Sequence, residues 1–118
     1  MVDLPKPVKR QLRELSTQAY ERELSRALEK LSIQFNDWQA GKINPWELTE
    51  AIHKFHDGQA RDLFKLYETS PDLRPVVARA VAEGILTQED IPGSVWAYIE
   101  SVVEFYRQES ERQPKKRT

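Results

Sequence analysis

No cysteine occurs in the 118 residues. That excludes a disulfide framework, thiolate metal sites and a cysteine nucleophile. Glycine is scarce, with four in the chain, too few for a sandwich or barrel of many short strands, which needs frequent turn signals. Gly41, Gly58, Gly84 and Gly93 also stand apart, so no glycine-rich loop is present to cradle a phosphate. No apolar run approaches the roughly 18 residues of a membrane span. The opening Met1-Val2-Asp3-Leu4-Pro5 lacks the apolar stretch of a secretory signal. A cytoplasmic protein with no membrane partner is the expectation.

What remains is wet but foldable. Charged residues make up 31% of the chain and apolar residues 39%, with a mean hydropathy of −0.70. Three Trp, four Tyr and four Phe are nevertheless more aromatic surface than a disordered polymer carries. The length suits one domain, placed over residues 1–112, followed by a disordered basic tail at 113–118.

The pattern is helical throughout. Residues 7–40 hold no internal proline or glycine and are rich in Leu, Glu, Arg, Gln and Ala, the strong helix formers. Pro5 and Pro7 suit the start and Gly41 suits the stop. An unbroken helix of that length would reach roughly 50 Å, against a diameter near 35 Å for a compact globule of this size. It must project, kink or pack on another copy.

Its apolar positions fall in two stripes. Val8, Leu12, Leu15 and Ala19 lie within about 60° of one another. Tyr20, Leu24, Ala27, Leu28, Leu31, Phe35 and Trp38 form a second stripe, rotated by roughly 130°. The two halves therefore serve different surfaces, and the first stripe is the candidate partner-binding surface. On this reading Val8, Leu12, Leu15 and Ala19 meet a second copy or another helical protein, with Arg10 and Arg13 at the rim.

A second helix starts at the best local signal in the chain. Asn44 is placed as N-cap, Pro45 as first helical residue and Glu47 as the reciprocal capping-box partner, with Ile43 and Leu48 as a staple. Leu48, Ile52, Phe55, Leu63 and Leu66 carry it through Gly58 to about Glu68. A short helix follows Ser70-Pro71 and Pro75 and stops at Gly84. Thr87–Asp90 reads as one capped turn, and a last helix runs from Pro92 to about Arg112. The expected fold class is all-α, a helical bundle of about four helices with a long, projecting or kinked first helix.

Candidate chemistry is confined to Glu50–Asp57. Glu50 and His53 have the carboxylate–imidazole spacing used by di-iron bundles, and His53 and Asp57 sit one turn apart. A metal site there would need a second such motif, which the chain lacks. At about 100° per residue, His56 falls in the middle of the apolar arc while Glu50 and Asp57 fall outside it, so the histidines read as structural. No cofactor is expected. Ser94, in Pro92-Gly93-Ser94-Val95, has no preceding strand and reads as a helix-start serine. Trp38, Trp46 and Trp96 are expected in the core.

The net charge of −1 conceals an asymmetry. Residues 1–13 carry Lys6, Lys9, Arg10 and Arg13 against Asp3, or +3. Residues 112–118 carry Arg112, Lys115, Lys116 and Arg117 with no acid, or +4, which leaves −8 for the middle. The best functional reading is a non-enzymatic interaction or regulatory module that self-associates through its first helix. The alternatives are a nucleic-acid-associated regulator using the basic termini, and a helical metal-dependent enzyme using Glu50, His53 and Asp57.

Overall fold

The computed structural model describes residues 4–112. Within them the fold is all-α and contains no strand. Helix α1 spans Lys6–Gln39 without a break. Helix α2 (Pro45–Lys54), a π-helical segment (Phe55–Ala60) and α3 (Arg61–Glu68) follow one another as a single helical run. Helix α4 is Leu73–Ala82, a single 3-10 turn covers Gln88–Asp90, and α5 is Gly93–Arg112. No described helix is long and apolar enough to cross a membrane. Residues 113–118, including the basic tail, lie outside the described part.

The ends of these elements form as local chemistry dictates. Asn44 Oδ1 accepts from the Glu47 amide at 2.8 Å, and Glu47 Oε1 accepts from the Asn44 amide at 3.0 Å. The capping box is thus complete, with Pro45 at the position that needs no donor. Helices α1 and α4 both stop in Schellman motifs. Lys42 N–H donates to the Asp37 carbonyl and Gly41 N–H to that of Trp38, while Ile85 and Gly84 do the same to Ala80 and Val81. The residue after each cap must take a left-handed backbone, and Gly41 (φ 76°) and Gly84 (φ 78°) supply it. Asp72 caps α4 one turn earlier than the proline pattern alone suggests, which leaves Pro75 inside the first turn, where a missing N–H costs nothing.

Where the sequence places one helical domain over 1–112, the chain divides into two compact units. One takes the chain up to Ala19 and from Ser70 onward, and the other is Tyr20–Thr69. Helix α1 supplies its first part to one and its second part to the other, which is why its apolar stripe changes side between Ala19 and Tyr20.

The first unit holds most of the core. Helix α4 buries Val76, Val77, Ala78, Ala80 and Val81, apolar on nearly every side, and packs on α5 through Val95, Ile99 and Val103. Val8, Leu12, Leu15 and Ala19 of α1 are buried in the same unit. This corrects the reading of those four as an open partner surface. Their cover is the chain itself, and each large one contributes about 1.5–3 kcal/mol by leaving water. Ser94 Oγ donates to Gln11 Oε1 at 3.3 Å, a hydrogen bond between α5 and this part of α1.

The second unit is a helical hairpin. Its arms are α1 from Tyr20 onward and the α2–π–α3 run, joined by the Gly41 turn. Tyr20 and Tyr67 stack at 5.0 Å, and the Tyr67 hydroxyl donates to Glu23, so the start of one arm meets the end of the other and the arms are antiparallel. Among the described residues only Ala27, Leu48, Leu63 and Tyr67 are buried apolar residues of this unit, against fifteen in the first.

Candidate functional site

The surface of the hairpin is decided by the π segment. Leu48 and Phe55 are seven residues apart, about two turns, so they share a face. Eight residues separate Phe55 from Leu63, a step that would carry an α-helix about 80° past that face. The π turn holds about one extra residue, so the step ends only about 20° from it. Leu63 and Tyr67 therefore return to the face of Leu48 and are buried with it.

The same shift removes His56 from the interior. Following Phe55 directly, it points roughly 100° from the buried face, and it is exposed, as is His53. The sequence reading that packs His56 inside assumed one constant period through Gly58, and the π turn breaks that period. Glu50 and Asp57 are exposed as well. Among the described residues no group of three His, Asp or Glu side chains is arranged to hold a metal ion, so Glu50, His53 and Asp57 do not form the centre their spacing allows.

Large apolar side chains are left facing water on the hairpin. On α1, the exposed Leu28 and Phe35 and the half-buried Leu24 and Leu31 lie about 40–100° round from the buried Ala27, whereas Ile33, also exposed, points about 120° the other way. On the other arm, Ile52 lies about 40–60° and Phe64 about 80–100° round from the Leu48–Leu63 face, in the same sense. In an antiparallel pair, equal senses of rotation lead to the same side. Leu24 and Phe64 confirm the geometry by lining one hollow of about 370 Å³ with Tyr20, His56, Ala60 and Arg61. An open groove of about 750 Å³ lies elsewhere on the unit, between α1 at Ala27, Lys30, Leu31 and Gln34 and α2 from Trp46 to Lys54. Its rim carries Lys30 and Lys54 against Glu47 and Glu50, so it favours neither sign of ligand.

The chain matches no protein-family model, no curated protein and no solved structure.

Trp46 corrects a second expectation. It is 80% exposed at the mouth of the groove, and Trp38 is exposed near the same turn. Both come too close to a two-helix turn to find enough protein to cover an indole. Trp96 is half-buried, with its indole N–H donating to Glu100 one turn on.

The basic residues of α1 are arranged as a face. Lys6, Lys9, Arg10 and Arg13 span about 100° and lie opposite the buried Val8–Ala19 stripe. All four are exposed, and none takes part in an ion pair among the described residues. Arg10 and Arg13 thus belong to a solvent-facing cationic strip, rather than to the rim of an apolar contact.

Sequence reasoning missed the Ile52–Phe64 surface. The signal was present in the spacing, since no α-helical phase puts Leu48, Phe55, Leu63 and Tyr67 on a narrow stripe, and an inserted residue does.

Proposed function

We propose that this chain is a helical protein-interaction module, rather than an enzyme, and that it self-associates through its first helix. The contributing part is the second half of α1, together with the arm that runs back along it. One observation carries the reading: the Tyr20–Thr69 unit leaves Leu28, Phe35, Ile52 and Phe64 in water while burying four apolar residues of its own. A helical pair with so small a core gains stability chiefly by covering its apolar side with more protein. Sedimentation velocity from about 1 to 100 µM, the range of ordinary self-association constants, tests it. A mass that rises with concentration supports the proposal, and the mass of one chain throughout overturns it.

The cationic strip on α1 favours a second reading, a regulator that binds a nucleic acid. Lys6, Lys9, Arg10 and Arg13 could displace counterions from about four phosphates, and the logarithm of affinity would then fall with that of salt at a slope near −3 to −4. Titration of a labelled duplex at several salt concentrations checks this, with Arg10→Ala and Arg13→Ala expected to flatten the slope. Binding that ignores salt, or no binding at low salt, removes the reading.

A further inference from the structure

Resting on the self-association reading, we infer that the partner is a second copy seated on one specific side of the hairpin, the Leu28–Phe35–Ile52–Phe64 face, so that two hairpins complete a four-helix arrangement. Exposures of 47% for Leu28, 39% for Phe35, 40% for the neighbouring Trp38, 36% for Ile52 and 52% for Phe64 leave on the order of 400–500 Å² of apolar surface, given the size of such side chains. A standard interface covers about 800 Å² per partner, a little over half of it apolar. The face therefore supplies the apolar share of one such interface, and its area matches the roughly 300–600 Å² of the largest, often functional, apolar patch on a protein surface.

The shape favours a copy of the same hairpin. A two-fold interface must be self-complementary, and this face draws on both arms, Leu28 and Phe35 from one and Ile52 and Phe64 from the other, with Phe64 also lining the hollow shared with Tyr20 and His56. Two antiparallel helix pairs laid face to face form a four-helix layer in which each apolar stripe gains the neighbour it lacks. The unit's deficit and the partner's are then the same deficit, met once.

Phe35→Glu and Phe64→Glu test the face, with Phe105→Glu on α5 as control, since Phe105 is equally open at 57% exposure but belongs to the first unit. Each glutamate on the face is expected to weaken the wild-type dimer by roughly 100-fold, from the cost of desolvating a charge, while the control leaves it unchanged. Far-UV circular dichroism reports whether each variant folds. Because the chain has no cysteine, Leu28→Cys and Phe105→Cys give a second measurement without added charge: a bis-maleimide spanning roughly 10 Å, the spacing of packed helices, should link chains at Leu28→Cys and not at Phe105→Cys. A dimer retained in both face variants, or cross-linking through Phe105→Cys instead, overturns this face and leaves self-association standing. A wild-type monomer at about 100 µM, the top of the range tested above, overturns both.

Discussion

Tyr67 stacks on Tyr20 with ring centroids 5.0 Å apart and planes 8° from parallel, while its hydroxyl donates to Glu23 on the same helix as Tyr20. Forty-four residues separate Tyr67 from Glu23, so this pair closes the open end of the hairpin, opposite the Gly41 turn. Tyr67→Ala should cost about 3 kcal/mol, the range for removing a buried aromatic ring. Tyr67→Phe keeps the stack and should cost about 1–2 kcal/mol through the lost hydrogen bond to a carboxylate. Urea denaturation followed by tyrosine and tryptophan fluorescence orders the two variants, and equal losses would mean that the hydroxyl alone matters.

Two glycines should respond to alanine with opposite signs. Gly84 has a φ of 78° and open space where a Cβ would go, so Gly84→Ala meets only the backbone penalty, about 1 kcal/mol of destabilisation. Gly58 lies inside a helical run with equally open space, so Gly58→Ala should stabilise by about 0.5–1 kcal/mol. Thermal unfolding of the two variants settles the signs.

The π segment makes a length prediction. Deleting Gly58 lets the turn relax to α-helical geometry with Leu63 and Tyr67 still facing Leu48, because the extra residue is the one removed. Inserting an alanine beside Gly58 turns them roughly 100° off the face. The deletion should retain the helical circular dichroism and the cooperative unfolding of the parent. The insertion should lose the Tyr20–Tyr67 stack and lower the midpoint, visible in near-ultraviolet dichroism.

Asp72 caps α4 and binds its neighbour twice. Its carboxylate accepts from the Arg74 amide at 3.0 Å and from the Arg74 guanidinium at 2.8 Å. The guanidinium hydrogen bond is the main reason its pKa lies below the ordinary carboxylate value; burial opposes it as the next largest influence, and the amide and the charge of Arg74 add smaller lowering contributions. A carboxyl that binds protons less readily when folded stabilises the fold above its unfolded pKa, and the gain is lost as pH falls through the folded one. Both groups are partly exposed, so the effect is a few tenths of a kcal/mol up to about 1. Asp72→Asn keeps a capping oxygen and removes the charge. Its deficit relative to the parent at neutral pH should shrink once the solution is acid enough to protonate Asp72, and a constant gap would contradict the charge contribution.

Much of this architecture is decided within a few residues of chain. The Asn44–Glu47 box, the glycine stops after α1 and α4 and the Thr87–Asp90 turn depend on hydrogen bonds that neighbours in sequence make whatever surrounds them, so the residues alone specify them. The break between the two stripes of α1 was legible for the same reason, since periodicity is a property of one helix. Which stripe meets water was not. Burial depends on what else reaches a surface: the first unit, brought together from distant parts of the chain, closes over Leu12 and Leu15, while Leu28 and Phe35 stay exposed. The π turn at Phe55–Ala60 belongs to the same class: a slightly worse backbone geometry is held because the return of Leu63 and Tyr67 to the buried face outweighs it, and that gain exists only once the other arm is in place.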